Sequence, residues 1–499
     1  MAVVTVNGTG YAAAAGTRLG KLLAGEQLMS MPCGGHGFCG KCRVRVRGKV
    51  SGLSDTERSL LSKEEIEGGI RLACCVTVEG DCAVSLSGEG ASQIRVSGDM
   101  PEISLKPSFG AYGFALDIGT TTLAARLYDV RGGLLAQGSR LNPQSGWGAD
   151  VISRIEAALG GAGQKLAAAV CKAADGMVEE LSTAAGISPE EIDGMAITGN
   201  TVMLHLLTGT PTEALSHAPF AAERLFGETI LAGDLGIHSV QPDTGVYLAP
   251  CASAFVGADL ITALLAGGVC DSPHTKLLVD VGTNGEMALW HNGMLFCCST
   301  AAGPAFEGTG ISMGMGGSAG AIDSVRVQEG SLIAHVIGGG PPKGICGSGI
   351  VDAVACLLET GRIDETGYME EDREMILPPV SLSRDDIRKV QLAKGAIHAG
   401  IRTLLSCAGL EPGDVPQMLI AGGFGSYLNP GSAGKIGLFP AEMVSGIRVI
   451  GNAALSGAAM LLLNGDCHAS CAGYAKLARV VELSANPIFA QEYVERMMF

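Results

Sequence analysis

The chain has 499 residues, and its 50 Asp and Glu against 34 Lys and Arg give a formal net charge of −16. Such an acidic chain argues against a nucleic acid as partner, because the phosphate backbone would repel it. The sequence contains no run of about 18 uncharged apolar residues, so no membrane span is predicted. Its first residues lack the charged and apolar regions of a signal peptide, which indicates a cytoplasmic location with most of the 16 cysteines as free thiols.

The first 98 residues predict a small α+β domain. Short apolar runs bounded by turn residues indicate strands, and we expect Thr17 to cap the first helix. The expected elements, in chain order, are two strands, a short helix, a third strand, an acidic helix and two final strands, at 3–6, 11–15, 17–23, 43–47, 63–67, 75–78 and 83–86. This order is that of the β-grasp fold of ferredoxins.

Four cysteines in this region carry the strongest chemical signal. Cys33, Cys39 and Cys42 form a C-x5-C-x2-C loop, and Cys74 follows after a further 31 residues. Four thiolates are the ligand set of a [2Fe–2S] cluster, two for each iron. A zinc site or a disulfide set is the alternative, but zinc loops usually pair ligands two to four residues apart on both sides. Cys75 competes with Cys74 for the fourth place, although strand alternation would point the two thiols to opposite faces.

Residues 99–111, with two prolines and one glycine, predict a linker, and strands then alternate with helices. Two segments in this second part look alike. Each is an apolar strand that ends in Asp-x-Gly-Thr, followed by a second apolar strand, and the two aspartates are Asp117 and Asp280. Such a repeat indicates duplicated halves that face one another.

The two turns have the composition of a phosphate clamp. A turn glycine lets backbone amides approach phosphate oxygens closely, and threonine hydroxyls add donors. An aspartate at a strand end can hold a hydrated Mg²⁺ or orient the attacking water. The predicted phosphate-binding residues are Gly119, Thr120, Thr121, Gly282, Thr283 and Asn284. Glu286 could position the attacking water, or it could close its turn by binding amides.

These segments resemble the two phosphate motifs of the ASKHA superfamily, which contains acetate and sugar kinases, heat-shock chaperone ATPases and actin. Stretches that begin at Met195, Met418 and Ile450 resemble the first connecting segment, the adenosine motif and the second connecting helix, in the family order. The resemblance implies a two-lobed α/β ATPase domain at 112–499, with lobes at about 112–275 and 276–449 and a connecting helix and tail at 450–499. Gly422 and Gly423 would flank the nucleoside.

A ferredoxin-type domain at 1–98 fused to an ASKHA unit resembles the reductive activators of corrinoid proteins. The resemblance implies ATP-dependent transfer of one electron from the cluster to Co(II) on the corrinoid protein of a methyltransferase system, which restores Co(I). It also implies an upstream low-potential electron donor, and it leaves open whether the chain forms a homodimer. The short linker departs from the pattern we expect, in which a further region separates ferredoxin and ATPase.

Two other functions remain as alternatives. The first is a redox-regulated small-molecule kinase, which would need an acceptor pocket with a general base that the sequence does not reveal. The second is a redox sensor that binds ATP to set its shape without catalytic electron transfer.

Overall fold

The structure is a computed structural model that describes residues 2–26, 28–29, 31, 35, 37, 40–86, 98, 100–423 and 428–499. The first domain is a five-stranded sheet in the order β2-β1-β5-β3-β4, in which β1 and β5 are parallel. Its strands are β1 Ala2–Val6, β2 Thr9–Ala13, β3 Arg43–Val50, β4 Ile70–Leu72 and β5 Val78–Leu86, and its helices are α1 Leu19–Gly25, α2 Asp55–Leu60 and α3 Lys63–Glu67. This arrangement confirms the ferredoxin-type fold.

Several details of the first domain differ from expectation, and helix α2 and strand β4 were not among the expected elements. One strand, β5, replaces the two expected at 75–78 and 83–86, because it pairs with β3 on both sides of a register shift between Gly48 and Val50. Thr17 does not cap α1, since its carbonyl accepts a hydrogen bond from Val78 N at 2.9 Å and the helix begins only at Leu19.

The second domain consists of two lobes built on similar sheets. The first sheet has the order β10-β11-β9-β6-β7-β8 and the second has the order β21-β20-β12-β13-β14-β22. The strands of the first are β6 Tyr112–Ile118, β7 Thr122–Asp129, β8 Leu134–Leu141, β9 Ile192–Gly199, β10 Glu228–Leu231 and β11 Gly245–Leu248. Those of the second are β12 Lys276–Val281, β13 Gly285–His291, β14 Met294–Thr300, β20 Gln417–Ala421, β21 Ile447–Gly451 and β22 Ala478–Val480.

The common part of the two sheets explains the sequence repeat. In each, three consecutive antiparallel strands are extended by two parallel strands, β9 and β11 in the first lobe and β20 and β21 in the second. The second lobe adds β15 Ala321–Gln328, β16 Ser331–Val336, β17 Gly344–Ile345, β18 Arg373–Leu377 and β19 Val380–Ser383. The duplicated two-lobed α/β fold is therefore confirmed.

The helices cover the sheets and connect the lobes. They are α4 Val151–Ala157, α5 Gly163–Ala185, α6 Thr201–Thr208, α7 Ala232–Leu235, α8 Ala258–Ala266, α9 Gly347–Glu359, α10 Arg384–Ala408, α11 Pro430–Lys435, α12 Ala453–Leu463, α13 Asp466–Leu477 and α14 Pro487–Glu495. Although α12 follows the second lobe in sequence, it packs in the core of the first, close against α8, before the chain returns to β22. In the described part of the chain no helix is both long and apolar enough to cross a membrane.

The segment predicted as a linker, 99–111, is bound to the second domain over its latter half. The amides of Lys106 and Ser108 donate to the carbonyls of Leu463 and Leu462 at 3.0 Å each. The amide of Ala111 donates to the carboxylate of Asp193 at 3.1 Å. These hydrogen bonds hold this part of the segment along α12 instead of leaving it as a free tether.

Candidate functional site

The loop before β3 and the turn after β4 bring two of the four predicted cluster ligands together. The sulfurs of Cys42 and Cys74 are 3.3 Å apart, and both side chains are buried. The amide of Ala73 donates to Cys42 O at 2.8 Å, and Arg18 Nη1 donates to Cys74 O at 2.6 Å. Backbone hydrogen bonds therefore fix the two thiols as a pair. Cys33 and Cys39 lie outside the described residues.

The chemistry of this pair fits a metal cluster. The hydrogen-bonding thiol of Cys42, together with burial, raises the pKa of Cys74 far above the ordinary value for a thiol. Two neighbouring buried thiols therefore resist ionisation until a positive charge is placed between them, which is what iron supplies to its thiolate ligands. The amide of Cys74 also points at Cys42 Sγ at 3.5 Å, as expected for a hydrogen bond to a cluster sulfur.

The expectation that Cys74 and Cys75 point to opposite faces of a strand is wrong. Strand β4 ends at Leu72, and both cysteines lie in the turn that follows. Their sulfurs are only 3.7 Å apart, and Cys75 is the more exposed of the two. Strand alternation therefore does not show which of the two cysteines is the fourth cluster ligand. The assignment of Cys74 as that ligand stays a prediction, which rests on its contact with Cys42.

In the second domain, the two Asp-x-Gly-Thr turns meet across the cleft between the lobes. Thr121 Oγ1 and Thr283 Oγ1 are 3.4 Å apart, and each donates to one carboxylate oxygen of Glu307 at 3.0 Å. In the first turn the amide of Gly119 donates to Thr122 O, and a Cβ on Gly119 would come within 2.7 Å of that oxygen. The turn therefore requires glycine at this position.

Five carboxylates surround this point. Glu286 is buried on β13 directly opposite Asp280 on β12, while Asp117, Asp259 and Glu307 are partly accessible. Burial and the charge of Asp259 raise the pKa of Asp117 to about 8 and that of Asp280 to about 7. Burial, with repulsion from Asp259 and Asp280, also raises the pKa of Glu286 well above its ordinary value. The cleft therefore favours the arrival of positive charge.

The carboxylates do not form a metal site by themselves. The described residues include no group of three His, Cys, Asp or Glu side chains that could hold a metal ion together. Mg²⁺ usually keeps several waters and is held by one or two carboxylates together with substrate phosphates. The donor set here fits an ion that enters with a phosphate ligand, and Asp117 and Asp280 stay the residues predicted to contact it.

Four side chains outside the predicted set support the first turn. Asn142 Nδ2 donates to Gly119 O at 2.8 Å, and Arg154 Nη2 donates to Thr120 O at 2.6 Å. Asn200 Nδ2 donates to Thr120 Oγ1 and Asn452 Nδ2 to Asp117 Oδ2, both at 3.1 Å. The two last residues also cap α6 and α12. The motifs that begin at Met195 and Ile450 are thus joined to the first phosphate turn.

Sequence reasoning did not assign roles to Asp259 and Glu307. Asp259 lies in the first turn of α8, where acidic residues are common, so nothing distinguished it. Glu307 ends a 3₁₀ turn, Pro304–Glu307, that lies outside both Asp-x-Gly-Thr segments. Of the predicted nucleoside residues, Gly422 lies beside Asp280, because a Cβ there would be 2.6 Å from Asp280 Oδ1. Gly423 is the next residue along the chain, and residues 424–427 lie outside the described part.

The raised pKa values predict how stability depends on pH in the protein without metal or nucleotide. The folded-state pKa values of Asp117 and Asp280 lie above the ordinary 3.8, so between pH 4 and 8 these two carboxyls bind more protons in the folded state than in the unfolded chain. Their contribution to the free energy of unfolding should therefore fall, by about 1–3 kcal/mol, as the pH rises from about 4 to about 8.

Thermal denaturation with a metal chelator checks this prediction. Asp280→Asn should raise the midpoint relative to wild type at pH 8 and leave it unchanged near pH 4, where the wild-type carboxyl is already neutral. An equal effect of the substitution at both pH values would contradict it.

Three family models match successive segments of the chain. Residues 4–79 match the model of the 2Fe-2S iron-sulfur cluster binding domain. Residues 112–272 match the RACo middle region, and residues 274–499 match the C-terminal domain of RACo, the ASKHA domain. The first lobe thus corresponds to the middle region.

Two curated relatives and one solved structure are similar over most of the chain. The corrinoid activation enzyme RamQ of Eubacterium limosum is 34% identical over 419 residues, which are 78% of this chain and 70% of RamQ. The Co(II) methylated amine-specific corrinoid protein reductase of Methanosarcina barkeri is 26% identical over 364 residues, 66% of each chain. A solved reductive activator for a corrinoid, iron-sulfur protein is 28% identical with a TM-score of 0.74 and covers 100% of this chain and 98% of its own.

The expectation that a further region is missing between ferredoxin and ATPase stays a prediction, since the solved structure is matched over 98% of its chain but RamQ over only 70%. The middle region was present in the sequence as the first lobe. The combination of a ferredoxin-type domain, a middle region and an ASKHA domain is shared along the chain with reductase enzymes. The chain therefore belongs to the family of reductive activators of corrinoid proteins.

Proposed function

We propose that the chain transfers one electron from its [2Fe–2S] cluster to the cobalt of a corrinoid protein in a methyltransferase system. The transfer reduces Co(II) to Co(I), and the binding and hydrolysis of Mg-ATP in the cleft drive it. The observation that carries the proposal is the meeting of Thr121 and Thr283 at 3.4 Å on duplicated phosphate turns, in a chain that also carries a cluster-binding domain. The names of the relatives, which specify corrinoid activation and reduction, support the same acceptor.

Energetics explain why an ATPase would accompany the cluster. When bound, a plant-type [2Fe–2S] cluster supplies one electron at about −400 mV, and we expect the Co(II)/Co(I) couple of a resting corrinoid to lie lower. Each gap of about 59 mV costs a factor of ten in a one-electron equilibrium. ATP must therefore act on a conformational equilibrium that changes how the corrinoid protein is held.

The roles of the cleft residues follow from their positions. The turn amides and the hydroxyls of Thr121 and Thr283 are donors that can reach phosphate oxygens from both lobes. Asp117 and Asp280 are placed to hold the hydration shell of Mg²⁺ and to orient the attacking water. Both are partly accessible, so their raised pKa values can fall when a cation arrives.

In this proposal Glu286 acts through its neighbour Asp259. The charge of Asp259 contributes to the raised pKa of Glu286, which is buried opposite Asp280. No hydrogen bond from its carboxylate to an amide of the second turn is found among the described residues, so the alternative of a turn-closing role has no support. We assign Glu286 the task of sharing a proton with Asp259 and so setting the charge of the cleft.

The reaction also needs an upstream low-potential electron donor and a compartment that keeps the cluster and thiols reduced. All 14 cysteines among the described residues are free thiols. This usage supports the reducing cytoplasm as the place of the reaction, because free thiols persist there.

The test is anaerobic reduction of candidate corrinoid proteins. The dithionite-reduced chain should convert the Co(II) absorption band to the Co(I) band only when Mg-ATP is present, and ATP hydrolysis should rise when the partner is added. A control with ADP or with a non-hydrolysable analogue should leave Co(II) unchanged. Equally fast Co(I) formation without nucleotide would refute the coupling, and phosphorylation of a small molecule would favour the kinase alternative.

A further inference from the structure

Lys41 links the cluster loop to the nucleotide cleft. It immediately precedes Cys42, and its ammonium donates to the carbonyl of Gly308 at 2.7 Å and to that of Gly314 at 2.8 Å. These two carbonyls stand at the two ends of a loop, 308–314, in the second lobe. A single ammonium group that binds the carbonyls at both ends keeps these ends together and fixes the loop against the ferredoxin-type domain.

This loop begins directly after Glu307, the carboxylate that bridges the two phosphate turns. The hydroxyls of Thr121 and Thr283 both donate to Glu307 at 3.0 Å. A hydroxyl has one proton to donate, so these groups cannot serve Glu307 and a phosphate oxygen at the same time. A carboxylate and a phosphate would also repel each other. Glu307 in this position therefore occupies the place of a phosphate acceptor.

A second contact joins the ferredoxin-type domain to the first phosphate turn. Helix α1 packs against the 3₁₀ turn Pro143–Gly146, where a Cβ added at Gly146 would lie 3.0 Å from Ala24 Cβ. The residue that precedes this turn, Asn142, donates to Gly119 O at 2.8 Å. The domain thus contacts both segments that are hydrogen-bonded to the phosphate turns.

We propose that Lys41 is a positioning residue that holds the ferredoxin-type domain in a docked arrangement that competes with nucleotide binding. The inference rests on the proposed function, since it takes the cleft to be the nucleotide site. When phosphate oxygens accept hydrogen bonds from the two threonine hydroxyls, they displace Glu307. The start of the loop 308–314 moves with Glu307, and the hydrogen bonds of Lys41 break, which releases the ferredoxin-type domain. The cluster is then free to approach a corrinoid protein only in the nucleotide-bound state. Because coupling is reciprocal, weakening the docking must tighten nucleotide binding by the same factor.

Calorimetric titration of the full, cluster-loaded chain with the Mg²⁺ complex of a non-hydrolysable ATP analogue tests the inference. Lys41→Gln removes the cation, and Gly146→Gln wedges the second contact apart from the side of the second domain. Arg45→Gln is the matched control, because it removes a positive charge from an exposed position on the same domain. Lys41→Gln and Gly146→Gln should each lower the Kd about fivefold or more, and Arg45→Gln should leave it unchanged. The absorption spectrum confirms that each variant carries the cluster.

The outcomes separate this inference from the proposed function. If the wild-type chain binds no nucleotide, the proposed function fails, and the inference fails with it. If wild type binds and both undocking variants bind equally well or more weakly, the competition is refuted while the nucleotide site stands. A purely structural role for Lys41 predicts unchanged or weakened binding, so tighter binding by both variants is the result that supports the coupling.

Discussion

Replacing Asp117 or Asp280 by asparagine should abolish ATP hydrolysis and leave the visible spectrum of the cluster unchanged. The two aspartates end equivalent strands of the duplicated sheets, and their turns meet at Thr121 and Thr283. Each is held among carboxylates whose repulsion a bound cation can relieve, which is why we expect both to interact with Mg²⁺. Loss of a group that places a metal or the attacking water commonly lowers the rate about 10²–10⁴-fold.

The measurement is phosphate release by each variant at saturating Mg-ATP, with Asp234→Asn as the matched control. Asp234 is an exposed residue of α7, and its replacement removes one negative charge from the lobe that contains Asp117. The control should hydrolyse ATP as wild type does. Near-normal turnover in the Asp117 or Asp280 variant would exclude that residue from the site.

Cys74→Ser should lose the cluster or alter it strongly, whereas Cys75→Ser should retain it. The reason is geometric: Cys74 shares a buried contact with Cys42, and its amide and carbonyl are bound by Cys42 Sγ and Arg18. Serine presents a harder oxygen in place of the soft thiolate that an iron–sulfur cluster prefers. The two variants are natural controls for each other, because the substituted sulfurs lie 3.7 Å apart.

Iron and sulfide analysis, together with electron paramagnetic resonance of the reduced protein, shows which of the two variants retains the cluster. Wild type and Cys75→Ser should contain two iron and two sulfide per chain and show the same rhombic signal. The reverse pattern, with the cluster lost only in Cys75→Ser, would assign the fourth ligand to Cys75. Zinc near one per chain and no visible absorption in wild type would exclude the cluster altogether.

The amino-acid sequence by itself determined the two domain types and the chemistry each carries. Both signals are local: the cysteine spacing in the first domain, and apolar strands ending in Asp-x-Gly-Thr in the second. A turn that brings an amide within reach of phosphate needs glycine, as Gly119 shows, and such a requirement is written in a few adjacent residues. The repeat of that pattern also predicted the duplicated sheets, because each copy builds the same hairpin.

Only the tertiary structure decided which distant residues complete the site. Arg154 and Asn142 support the first turn through backbone carbonyls, and Glu307 bridges both turns, although nothing near these residues in the sequence resembles a ligand set. The same holds for Lys41, whose acceptors lie in the other domain. Such contacts depend on how separate elements pack and on where each side chain points. Local patterns contain neither. For the same reason the alternation rule did not describe Cys74 and Cys75, which lie in a turn and not on a strand.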